Sequence, residues 1–278
     1  MATTIPVGSN SNSTYVAYGD DCQFGDICAY ALVVVKRQRI GWILRELDLI
    51  KQHFKLPTST ALHCRVLFSG HQRGKVAELA HLSPADVRSI VIRIFLLFNN
   101  VGIHICFAHT SLRGFSETMG ETINMWDEAK SSRVDLSIHH DPKGVISMLA
   151  QMCMMAPSPH RRFAKPHEWE IVISRDKTTV RLFGDSGRQA HNLVNGHSEI
   201  GAPAGQIFQF QPRVSSDSEA PLLQLADVAA YALAHAQEQD PKDRFWQRDL
   251  PSLNLRHDIF FKPRHPGHPI PEATVAND

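Results

Sequence analysis

The sequence predicts a mixed α/β protein, and three features of the chain support that prediction. Two strand-like segments, YVAYGD and ICAYALVVV, lie close together near the start of the chain and predict a hairpin. Segments with apolar residues at helical spacing follow, and further strand-like segments come after them. An almost wholly apolar helix, APLLQLADVAAYALAH, ends the series. This order indicates a layered protein built around a mixed sheet.

The boundaries of several elements can be predicted from single residues. RIGWILRELDLIKQHF has helical periodicity and stops before Pro57, and a second helix begins at Ser83-Pro84, where serine suits the N-cap and proline the first helical position. VGIHICFAH, WEIVISRD and IFQFQP are predicted strands. ETINMWDEAKSS and DPKGVISMLAQMCMMA are predicted to form a helical insertion, and LHCRVLFSGHQRGK is expected to be a polar link.

We expect one main domain with two extensions. The domain covers residues 14–238, after a disordered N-terminus at residues 1–13. An extended, proline-rich C-terminal arm covers residues 239–278, with segments such as FFKPRHPGHPIPE. Such an arm is a candidate for docking on another copy of the chain in a homo-oligomer.

Charge and cysteine content limit the classes of protein to which this chain could belong. The 29 basic and 28 acidic residues nearly cancel, so any attraction for a nucleic acid must be local. The five cysteines show no CxxC spacing and no apolar signal segment precedes them, which predicts a reduced, cytoplasmic protein with thiols in the core. No apolar run has the length needed to span a bilayer, so we expect no membrane partner.

Aspartates stand at positions where an acidic residue is costly. Asp20 and Asp21 are expected to close the first strand, Asp176 the WEIVISRD strand, and Asp227 lies within the apolar helix. Ligands gather at strand ends in open sheets, so we expect these carboxylates to meet around a hard cation such as Mg²⁺ or Mn²⁺. Gln224, one turn before Asp227, would orient the carboxylate or a bound water.

A structural interpretation of the same residues stays open. Asp227 would then pair with a backbone amide or an arginine, and the strand-end aspartates would be turn formers.

The same residues resemble a known family. QLADVAAYA, preceded by FQFQPRVSSDSEAPL, resembles the closing QxxD motif of the uncharacterised family called domain of unknown function 3800, which is regarded as having a ribonuclease-H-like fold. That family opens with a YxDESG-like segment, where this chain has YGDDC. ALHCRVLFSGHQRGK is similar to the family's ElH segment through His63, although the glutamate is absent. The resemblance spans roughly residues 15–235.

The resemblance implies a ribonuclease-H-like mixed sheet flanked by helices and a metal-dependent nuclease acting on DNA or RNA. Asp20, Asp176 and Asp227 would be metal ligands, and Asp21 a ligand or a support for one. His63 would assist proton transfer, or would simply be a loop histidine bonded to the backbone. A phosphate backbone would follow the basic residues after His63, which are Arg65, His71, Arg73 and Lys75.

Two rival functions follow from the same sequence. The Asp-Asp pair and the missing glutamate favour a non-catalytic module that binds nucleic acid or protein and retains the fold. The proline-rich arm favours a structural role in an assembly.

Overall fold

The secondary structure is given for residues 13–127, 132–137, 142–155, 169–175, 213–238, 243–250 and 257–260, which the computed structural model describes. The strands are β1 (Tyr15–Phe24), β2 (Ile27–Lys36), β3 (His104–Ser111), β4 (Thr122–Asp127), β5 (Ser132–Ser137), β6 (Trp169–Ser174), β7 (Arg213–Ser215) and β8 (His257–Phe260). The helices are α1 (Ile40–His53), α2 (Cys64–Phe68), α3 (Gly70–Arg73), α4 (Pro84–Val101), α5 (Leu112–Met119), α6 (Lys143–Met155), α7 (Leu223–Ala236) and α8 (Phe245–Arg248).

The described strands form a mixed main sheet, which confirms the predicted α/β class. Its order is β7-β6-β1-β2-β3-β8, and β4 and β5 form a separate two-stranded sheet. β1, β2 and β3 pair antiparallel, whereas β6 runs parallel to β1 and β7 parallel to β6. β8 runs parallel to β3 at the other edge.

The central hairpin is longer than the sequence predicts. β1 continues through Asp20 and Asp21 to Phe24, and the turn is at Gly25, whose φ of 53° is the left-handed conformation that favours glycine in tight hairpin turns. The two aspartates therefore do not close the strand. They lie where β1 has passed its pairing with β6, which reaches Gly19, and is still paired with β2.

Helices cover both faces of the sheet. The even-numbered residues of β1 from Val16 to Cys22 face one core, into which α1, α4 and α7 pack, and α6 packs into a second core with Tyr15 and Ala17. Alternate residues of a strand point to opposite faces, which explains the division. All five cysteines are free and buried, as predicted.

Two predicted helices are confirmed at their boundaries. α1 buries Ile43, Leu47 and Ile50 and ends before Pro57. α4 begins after Ser83, whose hydroxyl accepts the backbone N–H of Asp86 while the Asp86 carboxylate accepts the backbone N–H of Ser83. This capping box fixes the start of the helix.

Two other predictions are wrong. Residues in ETINMWDEAKSS form strand β4, which pairs with β5, rather than a helix. Thr122, Ile123 and Trp126 favour a strand, and the pairing supplies hydrogen bonds that a helix would otherwise provide. The predicted polar link contains α2 and α3, because Cys64 and Leu67 bury their side chains in the core.

Part of the predicted C-terminal arm lies on the domain. Phe245 and Trp246 of α8 are buried in the core with α7, and β8 adds to the sheet. The predicted N-terminal segment, apart from Ser13, and the predicted strand IFQFQP lie outside the described residues. Among the helices that the structure describes, none has the length and apolarity to cross a membrane.

Candidate functional site around Asp227 and His63

The site is built on the polar residues of α7. Most of this helix is buried, and Gln224 itself is only 3% exposed. Gln224 and Asp227 are three residues apart, so their side chains are neighbours on one face of the helix. Each therefore requires a polar partner from another part of the chain.

Those partners come from the segment before α2. Oε1 of Gln224 accepts the backbone N–H of Leu62 at 3.0 Å, and Oδ1 of Asp227 accepts the backbone N–H of Cys64 at 3.1 Å. His63 between them is extended, so the N–H groups of its two neighbours point the same way. The QxxD spacing thus matches alternate N–H groups of an extended segment, and the motif fastens residues 62–64 to α7.

His63 lies between two carboxylates. Its Nδ1 is 3.2 Å from Oδ2 of Asp227, and its Nε2 is 3.0 Å from Oδ2 of Asp217. Hydrogen bonds to Asp217 and Asp227 raise the pKa of His63 to about 10, against the opposing effect of partial burial. The imidazole is therefore protonated at neutral pH and donates from both nitrogens.

This geometry revises the role predicted for His63. A protonated ring with both nitrogens engaged is a cation that balances two carboxylates, rather than a base ready to accept a proton. Its ring also holds Asp217, in the turn after β7, next to Asp227 on α7. The sequence-based expectation that His63 shares the site with Asp227 stands, with a positioning role.

Asp217 is the site residue that sequence analysis missed. It lies in SSDSEAP, where the carboxylate of Glu219 accepts the Ser216 backbone N–H at 3.0 Å and shapes the turn. Lys51 of α1 is nearby: burial lowers the pKa of this 2% exposed lysine, while Asp48 and Asp217 raise it. The position of Asp217 shortly before the QxxD helix is a sequence signal that could have identified it. The composition of SSDSEAP, however, indicated only a link between two elements.

Asp20 and Asp21 lie on opposite faces of the sheet. Asp20 is in the series Val16, Tyr18 and Cys22, which faces the core that contains α7. Asp21 alternates with it and faces the side of α6. The backbone N–H of Asp21 also donates to Oδ1 of Asp20 at 2.9 Å. Only Asp20 of this pair is on the same side of the sheet as Asp227.

The charges of Asp20 and Asp227 act on two thiols of the core that contains α7. Burial raises the pKa of the Cys64 thiol well above its usual range, and the charges of Asp227 and Asp20 raise it further. Burial likewise raises the pKa of Cys22, with Asp227, Asp21 and Asp20 adding to it.

The remaining predicted residues differ in placement. Asp176 lies outside the described residues. Arg65, His71 and Lys75 are exposed on and after α2. The guanidinium of Arg73 donates to the backbone carbonyls of Leu67 and Leu82, at 3.1 Å for Leu82, so it holds the loop together rather than facing solvent.

The described residues do not by themselves form a metal site. No three His, Cys, Asp or Glu side chains among them come together in an arrangement that could hold a metal ion. Mg²⁺ or Mn²⁺ is often held by one or two carboxylates, with water and substrate phosphate completing the shell. Asp20 and Asp227 lie on one side of the sheet, and their carboxylates are oxygen donors of the kind that such an ion takes.

Comparisons of the chain with protein-family models, with curated proteins and with solved structures find no match.

Proposed function

We propose that the chain is a divalent-metal-dependent nuclease that hydrolyses phosphodiester bonds in DNA or RNA. The observation that carries the proposal is the placement of Asp20 and Asp227, which come from distant parts of the sequence and lie on the same side of the sheet, where α7 packs against β1. A carboxylate at the edge of a core is costly unless a cation offsets it. Asp227 has the His63 imidazolium, and a metal ion shared with Asp20 would add a second cation.

The sheet supports a ribonuclease-H-like architecture for the domain. An antiparallel meander of three strands, extended beside β1 by two strands parallel to it, is the arrangement of a ribonuclease-H-like sheet. β6 places Ile173 opposite Gly19, so its carboxyl end is beside Asp20. Asp176 follows three residues later in the sequence and is the proposed third ligand.

Asp20 and Asp227 would hold Mg²⁺ or Mn²⁺, which would supply an activated water and offset the charge of the phosphodiester. Residues around Asp227 fix the orientation of its carboxylate. Gln224 and the Leu62–Cys64 backbone fix α7 against the loop, and the Cys64 N–H orients Oδ1 of Asp227. His63 holds Oδ2, so the carboxylate has one defined orientation.

The proposed substrate path uses the exposed residues next to His63. Arg65 directly follows residues 62–64, which the QxxD motif holds against α7, and His71 and Lys75 lie further along the same exposed stretch. These basic side chains would be available to a substrate. Contacts of this kind would follow a phosphate backbone without reading its sequence.

The test is cleavage of labelled single-stranded DNA, duplex DNA, RNA and RNA–DNA hybrid in Mg²⁺, Mn²⁺ or chelator. The proposal predicts metal-dependent cutting of at least one substrate, and a loss of about 100-fold or more in Asp227→Asn, beyond what removal of a mere supporting group costs. Asp249→Asn on the exposed end of α8 is the matched control and should cut as the native protein does.

A non-catalytic module that binds nucleic acid is the second candidate, and one observation favours it. Both oxygens of Asp227 already have partners within the protein, in Cys64 and His63. A folded native protein that binds labelled nucleic acid in every metal but cuts none would establish this function instead.

A further inference from the structure

A second candidate site lies at the opposite end of the sheet from Asp227. A pocket of about 210 Å³ opens where β1 begins, β2 ends and β3 begins. Tyr15 pairs with Lys36, and Val34 pairs with His104. Paired residues and residues two apart share a face, so these four side chains stand together on one face of the sheet.

Basic side chains line the pocket. Lys36, Arg39 and His104 contribute to its wall, and none of the described residues that line it is an aspartate or a glutamate. Nη1 of Arg39 donates to the backbone carbonyl of Val101 at 2.8 Å, which holds the guanidinium at the pocket. Neither Lys36 nor Arg39 has a carboxylate partner within the part of the chain that the structure describes.

The nearby carboxylate of Glu170 is paired with arginines on the other face of the sheet. Glu170 pairs with Val16 on β1, which places it on the other face of the sheet. There it binds Arg37, and it lies 3.7 Å from Arg213. Glu170 therefore does not pair with Lys36 or Arg39.

We propose that this pocket binds a small oxyanion of the phosphate class, either free phosphate or the phosphate group of a mononucleotide. Lysine contributes a compact charge and arginine contributes planar donors, the combination that suits phosphate oxygens. Apolar walls from Val34, Val101 and Ile103 lower the local dielectric and strengthen the attraction. The volume of about 210 Å³ admits a phosphate group, and a nucleoside attached to it would extend out of the opening.

Isothermal titration at low ionic strength with inorganic phosphate and with adenosine 5′-monophosphate tests the proposal. The native protein should bind one equivalent of at least one of them, and Lys36→Gln and Arg39→Gln should each bind about tenfold more weakly or worse, because a charge-assisted bond is lost. Arg45→Gln, an exposed arginine of α1, is the matched control and should bind as the native protein does.

The two titrants distinguish the sources of the phosphate group. Equal affinities indicate that the phosphate group suffices, and tighter binding of the mononucleotide indicates a contact with the nucleoside. Because Arg39→Gln also loses the bond to Val101, thermal unfolding must show that it is folded; Lys36→Gln does not disturb that bond. No binding by the folded native protein, or equal binding by all four proteins, would overturn the proposal. Asp20→Asn should bind phosphate normally, which separates this site from the proposed nuclease site.

Discussion

Nδ1 of His63 lies 3.2 Å from Oδ2 of Asp227, which joins the segment before α2 to the QxxD helix. Asp227 is tolerated in an apolar helix because this ring and the Cys64 N–H satisfy its two oxygens. Because of this ion pair, removing the charge of Asp227 should destabilise the fold rather than relieve carboxylate repulsion.

Asp227→Asn should lower the free energy of unfolding by about 1 kcal/mol, since the amide still accepts from Cys64 but loses the ionic attraction to a partly exposed imidazolium. Urea unfolding in chelator measures this effect. Asp249→Asn should change the stability little. A variant more stable than the native protein would show that repulsion between carboxylates dominates instead.

Gln224→Met should be destabilising by about 1–3 kcal/mol, because the Leu62 backbone N–H is left buried without its acceptor. Gln237→Met, at the exposed end of α7, should be nearly neutral. Chemical unfolding of both variants gives the comparison. Equal stabilities of the two variants would mean that the hydrogen bond between Gln224 and the Leu62 N–H contributes nothing to the free energy of unfolding.

Stability should fall on the alkaline side because of His63. The folded pKa is about 10 and the unfolded value about 6.5, so the contribution is full below about pH 6.5 and is lost as the pH rises through about 10. In metal-free buffer, the stability of the native protein relative to His63→Gln should therefore decline between neutral and alkaline pH. A constant difference across that range would contradict the doubly bonded imidazolium.

Stability should also fall on the acid side, because of His235. Its ring stacks on Phe24 with centroids 3.8 Å apart, faces Trp246 at 5.3 Å, and has a buried Nε2 without a hydrogen-bond partner among the described residues. Burial lowers the pKa of His235 to about 4, although Asp243 opposes the shift. The contribution is therefore present above about pH 6.5 and is lost as the pH falls towards 4.

His235→Phe keeps a flat ring and removes the titration. The variant should lose less stability than the native protein between about pH 6.5 and 4.5, the range between the unfolded and folded pKa values. His71→Gln, an exposed histidine, should follow the native pH dependence. If His235→Phe follows it as well, the ring is not held neutral by its aromatic neighbours.

Gly19→Ala should destabilise the hairpin by about 1–3 kcal/mol through overpacking. A Cβ at Gly19 would be 2.3 Å from the hydroxyl oxygen of Tyr30 and 2.8 Å from a methyl group of Leu32. Thermal unfolding measures the loss. Tyr30→Phe in the same chain should restore part of it, whereas equal losses in the single and double variants would show that Tyr30 is not the obstacle.

Local patterns were sufficient to predict much of the fold. Ser83 and Pro84 located the start of α4, and apolar periodicity located α1 and α7. Strand alternation also decides that Asp20 and Asp21 face opposite ways, once β1 is known to continue past them. The β4–β5 pair and α2 were missed, because pairing between strands and burial of Cys64 and Leu67 are tertiary effects.

The site was predicted less completely than the fold. The QxxD motif and His63 were identified as candidates, but their contact depends on how residues 62–64 cross α7. Asp217 is recognisable only once the turn after β7 has brought it to the other side of the same ring. No local sequence pattern encodes that approach.

The decisive measurement is cleavage by Asp20→Asn compared with cleavage by Asp21→Asn, since the two carboxylates are adjacent in sequence and lie on opposite faces of β1. With the substrate and metal that the native protein uses, Asp20→Asn should be inactive and Asp21→Asn should retain most of the activity. Equal activity of the two folded variants, or loss in Asp21→Asn alone, would contradict a catalytic site shared by Asp20 and Asp227.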